Sequence, residues 1–311
     1  MELRDKEILI TGGTGFIGSA LAKELVKHNK VLVVGRNQKT IYPGVTFIKG
    51  DVTKKSFIKS LDLGEFDYIF HLAGNTNHNF AFSDPLKDLK INFLSTFYIL
   101  EVLRRLKRRP MLIFASSVLA YGESKKKLNE DFSLTVPTAN YGASKLAAER
   151  YVYAFSRQYK IPAISLRIFS TYGPGLYQRI IYDFIKKLHE NPDCLEIIGS
   201  GNEARDLVFI DDQIENIIRV AESAEYEGEV YNLGSGRAYT TKQIAGAVAR
   251  SMKLNPEFIF SQKTRLFDVN ITLADTNKIK KLGCKTQTSL DEGIKRMVSW
   301  YRLSVNPEGF K

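Results

Sequence analysis

Short apolar runs alternate with amphipathic stretches along the first half of the chain. The runs that predict strands cover residues 6–11, 30–35, 45–51, 66–74, 110–117 and 162–170. Between them, apolar residues recur at helical spacing, most clearly over residues 15–28, 85–109 and 141–159. Strands that are apolar throughout and separated by helices are typical of a parallel sheet with both faces covered. The pattern therefore predicts an α/β fold with a doubly wound parallel sheet.

The second half of the chain has a different pattern. After about residue 170, short strands and joins rich in Gly and Pro separate predicted helices at 177–190, 211–224, 241–253 and 289–303. We predict one large α/β domain over residues 1–171 and a smaller C-terminal domain mainly over residues 172–311. Residues 207–238 are expected to return in part to the first domain, so that the smaller domain is interleaved with it.

Composition places the chain among globular proteins. Its 44% hydrophobic and 25% charged residues are ordinary values, and no apolar stretch is long enough to cross a bilayer. The amino terminus lacks the basic region and apolar core of a signal peptide, so we expect a cytoplasmic protein without membrane attachment. Cys194 and Cys284 stand far apart, which favours neither a disulfide framework nor a metal site.

A net charge of +11 raises the question of nucleic-acid binding. The densest basic cluster, at residues 104–109, ends a predicted helix directly before Pro110, where Lys and Arg complement the helix dipole. No recognised nucleic-acid motif accompanies this cluster. Nucleic acid is therefore not expected as a partner, whereas a basic surface would attract a phosphorylated small molecule.

Three glycines follow the first strand, where the next helix opens. Gly12, Gly15 and Gly18 have the spacing of a dinucleotide-binding turn. The first allows the tight turn, the second lets a pyrophosphate approach the backbone, and the third lets the helix pack on the sheet. The helix amino terminus adds amide groups and positive partial charge. The first domain is therefore predicted to be a Rossmann-type domain that binds NAD or NADP.

Gly35 and Arg36 end the second strand, where an acidic residue would bind the ribose hydroxyl of NAD. An arginine there can hold the 2′-phosphate of NADP. Arg36 therefore favours NADP, although it could also stack on adenine or be an ordinary surface residue. Asp51 follows the third strand and is placed either for the adenine edge or as a helix cap.

Two hydroxyl-bearing segments are predicted to form one site. Ser116 and Ser117 end the fifth strand, and Tyr141 and Lys145 open the helix that follows. Strand carboxyl ends line the ligand crevice of a doubly wound sheet, and residues four apart share a helix face. A nearby ammonium and an oxidised nicotinamide would favour the phenolate of Tyr141. This phenolate could take the proton of a substrate hydroxyl that Ser117 holds in place.

Motifs along nearly the whole chain add a family resemblance. They include TGGTGFIG, HLAG, SSVLAYG, YGASK, LRIFSTYGPG, GSGNEARDLVFIDD, YNLGSG and RLFD. With them the chain resembles the extended short-chain dehydrogenases/reductases that act on nucleotide sugars, and among these the UDP-glucose/galactose 4-epimerases. The resemblance implies a nucleotide-diphosphate sugar as substrate and a catalytic set of Ser117, Tyr141 and Lys145. It also implies a homodimer in which residues 85–109 and 141–159 of two subunits form a four-helix bundle.

The resemblance extends to the residues expected at the ligands. Those expected at the cofactor are Gly12, Gly15, Phe16, Ile17, Gly18, Arg36, Asp51, Val52, Leu72, Ala73, Gly74, Asn92, Ser116, Tyr141 and Lys145. Those expected at the substrate are Ser117, Ser170, Arg205 and Arg265, and the polar loop after the fourth strand adds His78. Either arginine could instead form an inter-domain ion pair. The family usually carries Asn where this chain has Ser170, so that contact has fewer donors.

Two departures from the family pattern bear on the reaction. Members that eliminate water carry an acidic pair after the catalytic serine, whereas this chain has Val118 and Leu119 there, which argues against a 4,6-dehydratase. The Ser-Tyr-Lys set suffices for an epimerase that oxidises the sugar transiently at C4. The alternative is an NADPH-dependent nucleotide 4-keto-sugar reductase, which Arg36 favours. A non-catalytic nucleotide-sugar-binding protein is a third interpretation, and the intact Ser-Tyr-Lys set argues against it.

Overall fold

The computed structural model describes residues 3–37, 42–124, 126–131, 135–261 and 272–304. In these ranges the strands are, in chain order, β1 (Glu7–Thr11), β2 (Lys30–Gly35), β3 (Val45–Lys49), β4 (Tyr68–His71), β5 (Met111–Ser117), β6 (Ala163–Ile168), β7 (Ser170–Tyr172), β8 (Cys194–Ile197), β9 (Ala204–Phe209), β10 (Glu227–Leu233), β11 (Ala238–Thr240) and β12 (Glu257–Phe260). The α-helices are α1 (Phe16–Leu25), α2 (Lys55–Ser60), α3 (His78–Ser83), α4 (Pro85–Leu89), α5 (Ser95–Leu103), α6 (Asn140–Tyr159), α7 (Ile180–Glu190), α8 (Ile210–Ser223), α9 (Thr241–Met252), α10 (Asn277–Lys281) and α11 (Leu290–Ser304). None of the helices in these ranges has the length and apolarity needed to cross a membrane.

Seven parallel strands form the central sheet. Their order is β3-β2-β1-β4-β5-β6-β10, which contains the Rossmann-type order. The predicted doubly wound sheet is confirmed. The strand order reverses between β1 and β4, and ligands of such sheets bind outside the carboxyl ends of the strands at that point.

Helices cover both faces of this sheet. In β1, Ile8 and Ile10 belong to one buried hydrophobic cluster, together with residues of α1 and α8. Leu9, between them, belongs to a second cluster that includes residues of α5 and α6. Because successive residues of a strand point to opposite faces, a strand covered on both sides has to be apolar throughout.

Two smaller sheets are formed after β6. β7 pairs with β9 in parallel and β11 pairs with β9 antiparallel, while β8 and β12 form a parallel pair. The strand β10, which stands between β9 and β11 in the sequence, instead joins the edge of the central sheet beside β6. The boundary at residue 171 and the interleaving of two domains stay predictions.

The helix predicted over residues 85–109 is present without interruption from Pro85 to Leu103, and only the prediction for residues 104–109 is wrong. The structure has α4, then one π-helical turn at Lys90–Leu94, then α5, which ends at Leu103. A π turn inserts an extra residue into a helix and is frequent near functional sites. The basic cluster at residues 104–109 follows the end of α5, and part of its charge is paired, since Arg104 contacts Glu101 and Arg108 contacts Asp67.

Candidate active site

The glycine turn lies between β1 and α1, at the carboxyl edge of the central sheet. Gly12 has a φ of +73°, and a Cβ added to it would lie 2.6 Å from the backbone nitrogen of Ala73. At Gly18 an added Cβ would lie 2.3 Å from the Gly12 carbonyl oxygen, so both positions require glycine. At Gly15, which caps α1, an added Cβ would meet only that same oxygen, at 3.2 Å. The turn is therefore open at Gly15 and fits the pyrophosphate of a dinucleotide.

Four apolar residues predicted at the cofactor flank this turn. Phe16 and Ile17 form the first turn of α1 and are half-buried. In the segment after β4, Leu72 N donates a hydrogen bond to Thr11 O (3.1 Å), and Ala73 N donates one to Thr11 Oγ1 (3.4 Å). The structure thus brings both segments to the end of β1.

Arg36 and Asp51 follow β2 and β3, at the place expected for the adenosine end. Burial alone would raise the pKa of Asp51, but hydrogen bonds from Thr53 and the charges of Arg36 and Lys54 hold this pKa below its ordinary value. Thr53 N and Oγ1 both donate to Asp51 Oδ1 (2.9 and 2.7 Å). Asp51 therefore closes a turn before α2 and does not cap the helix itself, whose N-cap is Lys54. Val52 beside it is buried.

Ser117 and Tyr141 meet at the carboxyl end of β5. Ser117 is the last residue of β5, and Tyr141 lies in the first turn of α6. A hydrogen bond joins their side chains, and the two residues are only 7% and 6% exposed. Leu119 N also donates to Ser117 Oγ (3.2 Å), which fixes the direction of that side chain. The two hydroxyl-bearing segments therefore come together at one place.

The pKa of Tyr141 is raised in this environment. Burial is the largest cause, and the Asp88 carboxylate also raises the pKa, whereas the hydrogen bond from Ser117 and the charge of Arg179 lower it. The protein alone therefore holds Tyr141 as a neutral phenol. A phenolate at this position requires further positive charge, such as that of an oxidised nicotinamide.

Lys145 lies on α6, four residues after Tyr141, and is 3% exposed. Its Nζ donates to Ala115 O of β5 (2.8 Å) and lies 4.9 Å from the centroid of the Phe114 ring. Burial lowers the pKa of Lys145 to about 8, and the charge of Asp88 limits this fall. At neutral pH Lys145 is therefore mostly an ammonium, held against the strand that ends at Ser117.

The π turn brings Asn92 close to Lys145. Asn92 has no exposed surface, its Oδ1 accepts a hydrogen bond from Asn75 N (3.0 Å), and its Nδ2 donates to Asp88 (2.8 Å). A Cβ at Gly74 would lie 3.0 Å from both Asn92 Oδ1 and Lys145 Nζ, so the glycine leaves room between them. Gly74 and Asn92 are among the residues predicted for the site, whereas Asp88 and Asn75 are not. The only signal for Asp88 was its spacing of four residues from Asn92.

The side chain of Ser116 bonds to a group of the protein, and its contact with the cofactor stays a prediction. Its Oγ donates to Glu149 Oε2 (2.9 Å), and Glu149 of α6 forms an ion pair with Arg167 of β6 in which each side chain is 1% exposed. The hydroxyl predicted at the cofactor therefore connects β5 to this buried ion pair.

His71 is fully buried at the end of β4. Its Nδ1 lies 2.6 Å from Thr11 Oγ1, and its Nε2 lies 3.1 Å from Ser95 Oγ. Burial lowers the pKa of His71 to about 3, and the charge of Lys145 adds to this effect. The imidazole is therefore neutral in the folded protein over the whole range in which a free histidine gains its proton.

We expect His71→Gln to reduce the acid sensitivity of the fold. Between about pH 6.5 and about pH 3, the unfolded chain binds a proton at this histidine and the folded chain does not, so stability falls as the pH is lowered. For one such group the loss is about 2 kcal/mol between pH 7 and pH 5. Glutamine can still bond to Thr11 and Ser95 but removes this loss. Urea unfolding of both proteins at the two pH values measures the difference.

The control for this measurement is His28→Gln, since His28 is exposed. This control should keep the pH dependence of the wild type. If His71→Gln also keeps it, the lowered pKa of His71 is not a source of the acid sensitivity.

Two of the residues predicted at the substrate lie on the sheet that contains β7 and β9. Ser170 begins β7, and Arg205 lies on the neighbouring strand β9, two residues before Leu207, the partner of Ser170. Arg265 lies outside the described residues, and so does the side chain of His78, whose backbone begins α3. The structure thus brings Ser170 and Arg205 onto adjacent strands, and the roles of all four residues stay predictions.

Arg179 also lies in this region, although it is not among the residues predicted for the site. It precedes α7 and has a φ of +81°, a strained conformation for a residue other than glycine. Its Nη2 donates to Thr76 O (2.6 Å) in the loop after β4, and its charge acts on Tyr141. Strain of this kind is commonly retained at binding sites. Arg179 therefore joins the segment before α7 to the loop after β4, close enough for its charge to act on Tyr141.

Comparisons with known proteins agree with this geometry. The sequence profile of the NAD dependent epimerase/dehydratase family matches residues 8–234. A UDP-glucose 4-epimerase from Thermotoga maritima, solved with UDP-glucose, is similar with a TM-score of 0.88 at 26% identity, covering 96% of this chain and 100% of that one. A UDP-glucuronic acid 4-epimerase from Bacillus cereus, solved with UDP-glucuronic acid and NAD, has a TM-score of 0.85 at 26% identity and covers 96% and 99%. The dTDP-D-glucose 4,6-dehydratase of Homo sapiens is 28% identical over 321 residues, which are 96% of this chain and 90% of that protein.

Proposed function

The chain belongs to the NAD-dependent epimerase/dehydratase family, and from this membership we propose that it is a nucleotide-sugar epimerase acting by transient oxidation at C4 of the sugar. The observation that carries the proposal is the meeting of Ser117, Tyr141 and Lys145 at the carboxyl end of β5. They form a hydrogen-bonded pair of hydroxyls beside a buried ammonium, at the edge of the sheet where the glycine turn can receive a dinucleotide. As an extended short-chain dehydrogenase/reductase, the chain is an enzyme of the sugar-nucleotide class.

Each side chain of this set has its own role in the proposed reaction. Tyr141 takes the proton of the C4 hydroxyl and later returns it, and Ser117, bonded to Tyr141, holds that hydroxyl in place. Lys145 favours the phenolate by its charge, and its bond to Ala115 O keeps the ammonium in position. The chemistry that a nicotinamide would supply when bound here is to accept a hydride from C4 and to give it back. UDP-sugars, which both neighbouring epimerases bind, are the substrates that we propose.

Elimination of water is not favoured by the residues after Ser117. Val118 is buried and Leu119 is half-buried, and neither carries a group that could move a proton. We therefore propose epimerisation for this chain, although its relatives include a dehydratase.

The residues at the adenosine end bear on the choice between NAD and NADP. NAD is the cofactor named for the family and for the neighbouring structure. The exposed Arg36 suits the 2′-phosphate of NADP, whereas the Asp51 carboxylate, on which its charge acts, opposes a second anion there. The preference for NADP stays a prediction.

Cofactor content separates an epimerase from a reductase. An epimerase ends each turnover with its cofactor unchanged, so we expect the purified protein to contain stoichiometric NAD or NADP without any addition. It should interconvert UDP-glucose and UDP-galactose without net reduction of added cofactor. Mass spectrometry of the cofactor released by heat measures its amount and identity. Loss of all cofactor on dialysis, together with NADPH-dependent reduction of a 4-keto sugar nucleotide, would support the reductase instead.

We also propose a homodimer that pairs α5 and α6 of two subunits. Tyr151 of α6 stands edge-on against Phe93 and Phe97, with 5.1 and 5.7 Å between ring centroids. Tyr151 remains 43% exposed. A second copy of these helices would cover this aromatic surface.

A further inference from the structure

Asp88 is a buried carboxylate near the active site that the mechanism above does not use. It lies on α4 with no exposed surface. Its Oδ1 accepts hydrogen bonds from Asn92 Nδ2 (2.8 Å) and Asn75 Nδ2 (3.0 Å), and its Oδ2 accepts one from Ser144 Oγ (2.7 Å). These donors come from the π turn, the loop after β4 and α6, and all are neutral. Because a buried negative charge is costly without a compensating positive one, the charge of Asp88 requires a partner.

Lys145 is that partner. Its Nζ and Asn92 Oδ1 each lie 3.0 Å from the position of a Gly74 Cβ, and Asn92 bonds directly to Asp88. The charge of Asp88 acts on Lys145 and raises its pKa against the effect of burial. Asn92 is therefore bonded to the carboxylate at one end and lies close to the ammonium at the other.

We propose that Asp88 is a positioning residue of the active site, which holds Asn92 and the first turns of α6 in place and keeps Lys145 in its ammonium form. This inference rests on the proposed function, in which the ammonium favours the phenolate of Tyr141. Asp88 acts through Lys145 and not on the substrate.

The other titratable groups in this region do not hold the ammonium. His71, on β4, is neutral above about pH 3. Tyr141, on α6, is a neutral phenol because burial raises its pKa, and Arg179, before α7, carries a positive charge. Glu149, also on α6, is already paired with Arg167.

Asp88→Asn removes the charge with little change of shape. The asparagine oxygen can accept from the same two amide groups, and its nitrogen can donate to Ser144 Oγ. Asp84→Asn is the matched control. Asp84 is the N-cap of the same helix, where its Oδ1 accepts a hydrogen bond from Lys87 N (3.0 Å), and asparagine is an equally good cap.

The first measurement is thermal unfolding of the wild type and both variants near pH 6.5 and pH 9.5. Asp88 raises the pKa of Lys145, so its stabilising effect is present while Lys145 is charged and is lost as the pH rises through this pKa, about 8. We expect Asp88→Asn to lower the Tm by several degrees at the lower pH and by less than half as much at the higher pH. An equal loss at both pH values would show a merely structural role and overturn the proposal. This readout does not depend on the reaction.

The second measurement is the pH profile of kcat for interconversion of UDP-glucose and UDP-galactose. Without the charge of Asp88, Lys145 loses its proton at lower pH. The alkaline limb of the profile should therefore move down by about one pH unit, so that kcat at high pH falls roughly tenfold, while Asp84→Asn keeps the profile of the wild type. An alkaline limb that stays in place in Asp88→Asn would overturn the proposal.

A wild type without any turnover of sugar nucleotides would refute the proposed function, and thermal unfolding would then decide whether Asp88 has the proposed role.

Discussion

Replacing Tyr141 by Phe is expected to lower kcat roughly a thousandfold, while cofactor content and affinity for the nucleotide sugar stay near those of the wild type. The substitution keeps the buried ring and removes the one oxygen that bonds to Ser117. The other group bonded to Ser117, the backbone nitrogen of Leu119, is a donor and cannot take the proton of a sugar hydroxyl. Steady-state kinetics with UDP-glucose and calorimetric titration of the inactive complex measure the two effects separately.

Tyr121→Phe provides the control for loss of a buried tyrosine hydroxyl. Tyr121 is 1% exposed and donates to Asn232 Oδ1 (2.8 Å), so we expect a stability cost of about 1 kcal/mol and an unchanged kcat. Turnover close to that of the wild type in Tyr141→Phe would mean that the proton leaves by another route, and the role proposed for Tyr141 would be wrong.

The strands could be predicted from the sequence because both faces of the central sheet are covered. Leu9 packs on one side of β1 and Ile8 and Ile10 on the other, and such a strand appears in the sequence as an unbroken apolar run. The π turn within the long helix could not be predicted in this way. The apolar spacing continues through the π turn at Lys90–Leu94. The turn buries Asn92 between Asp88 and the loop after β4, and this burial depends on tertiary contacts.

Part of the site could be predicted because its chemistry requires fixed spacing. The three glycines and the pair of Tyr141 and Lys145 are of this kind. Asp88 is different, because it stands between Lys87 and Lys90 in a short segment that resembles an exposed helix face. Its burial depends on α6, which packs against α4 and brings Ser144 to the carboxylate.

The sequence also indicates that the hydroxyls of Ser116 and Ser117 have different partners. Neighbouring residues of a strand point to opposite sides, so Ser116 and Ser117 could not both turn their hydroxyls to the same crevice. The structure places Ser117 against Tyr141 and Ser116 against Glu149.

Removing Glu149 is expected to cost about 3–5 kcal/mol of unfolding free energy. Glu149→Ala leaves the guanidinium of Arg167, which is 1% exposed, without the carboxylate that accepts from its Nε (3.0 Å) and its Nη2. The Tyr121 ring, 4.1 Å from the guanidinium carbon, compensates only part of this charge, and Ser116 loses its acceptor as well. Urea unfolding followed by circular dichroism measures the loss.

The same reasoning predicts that removing both charges is less harmful than removing one. In the double variant Glu149→Leu with Arg167→Met, no buried charge remains unpaired, so the unfolding free energy should lie within about 2 kcal/mol of the wild type. Each single variant should lose more than the double variant, which a double-mutant cycle detects as a large coupling free energy. If the losses of the single variants instead add in the double variant, the two side chains act independently. The ion pair would then not be the contact that fixes α6, with Tyr141 and Lys145, against β5 and β6.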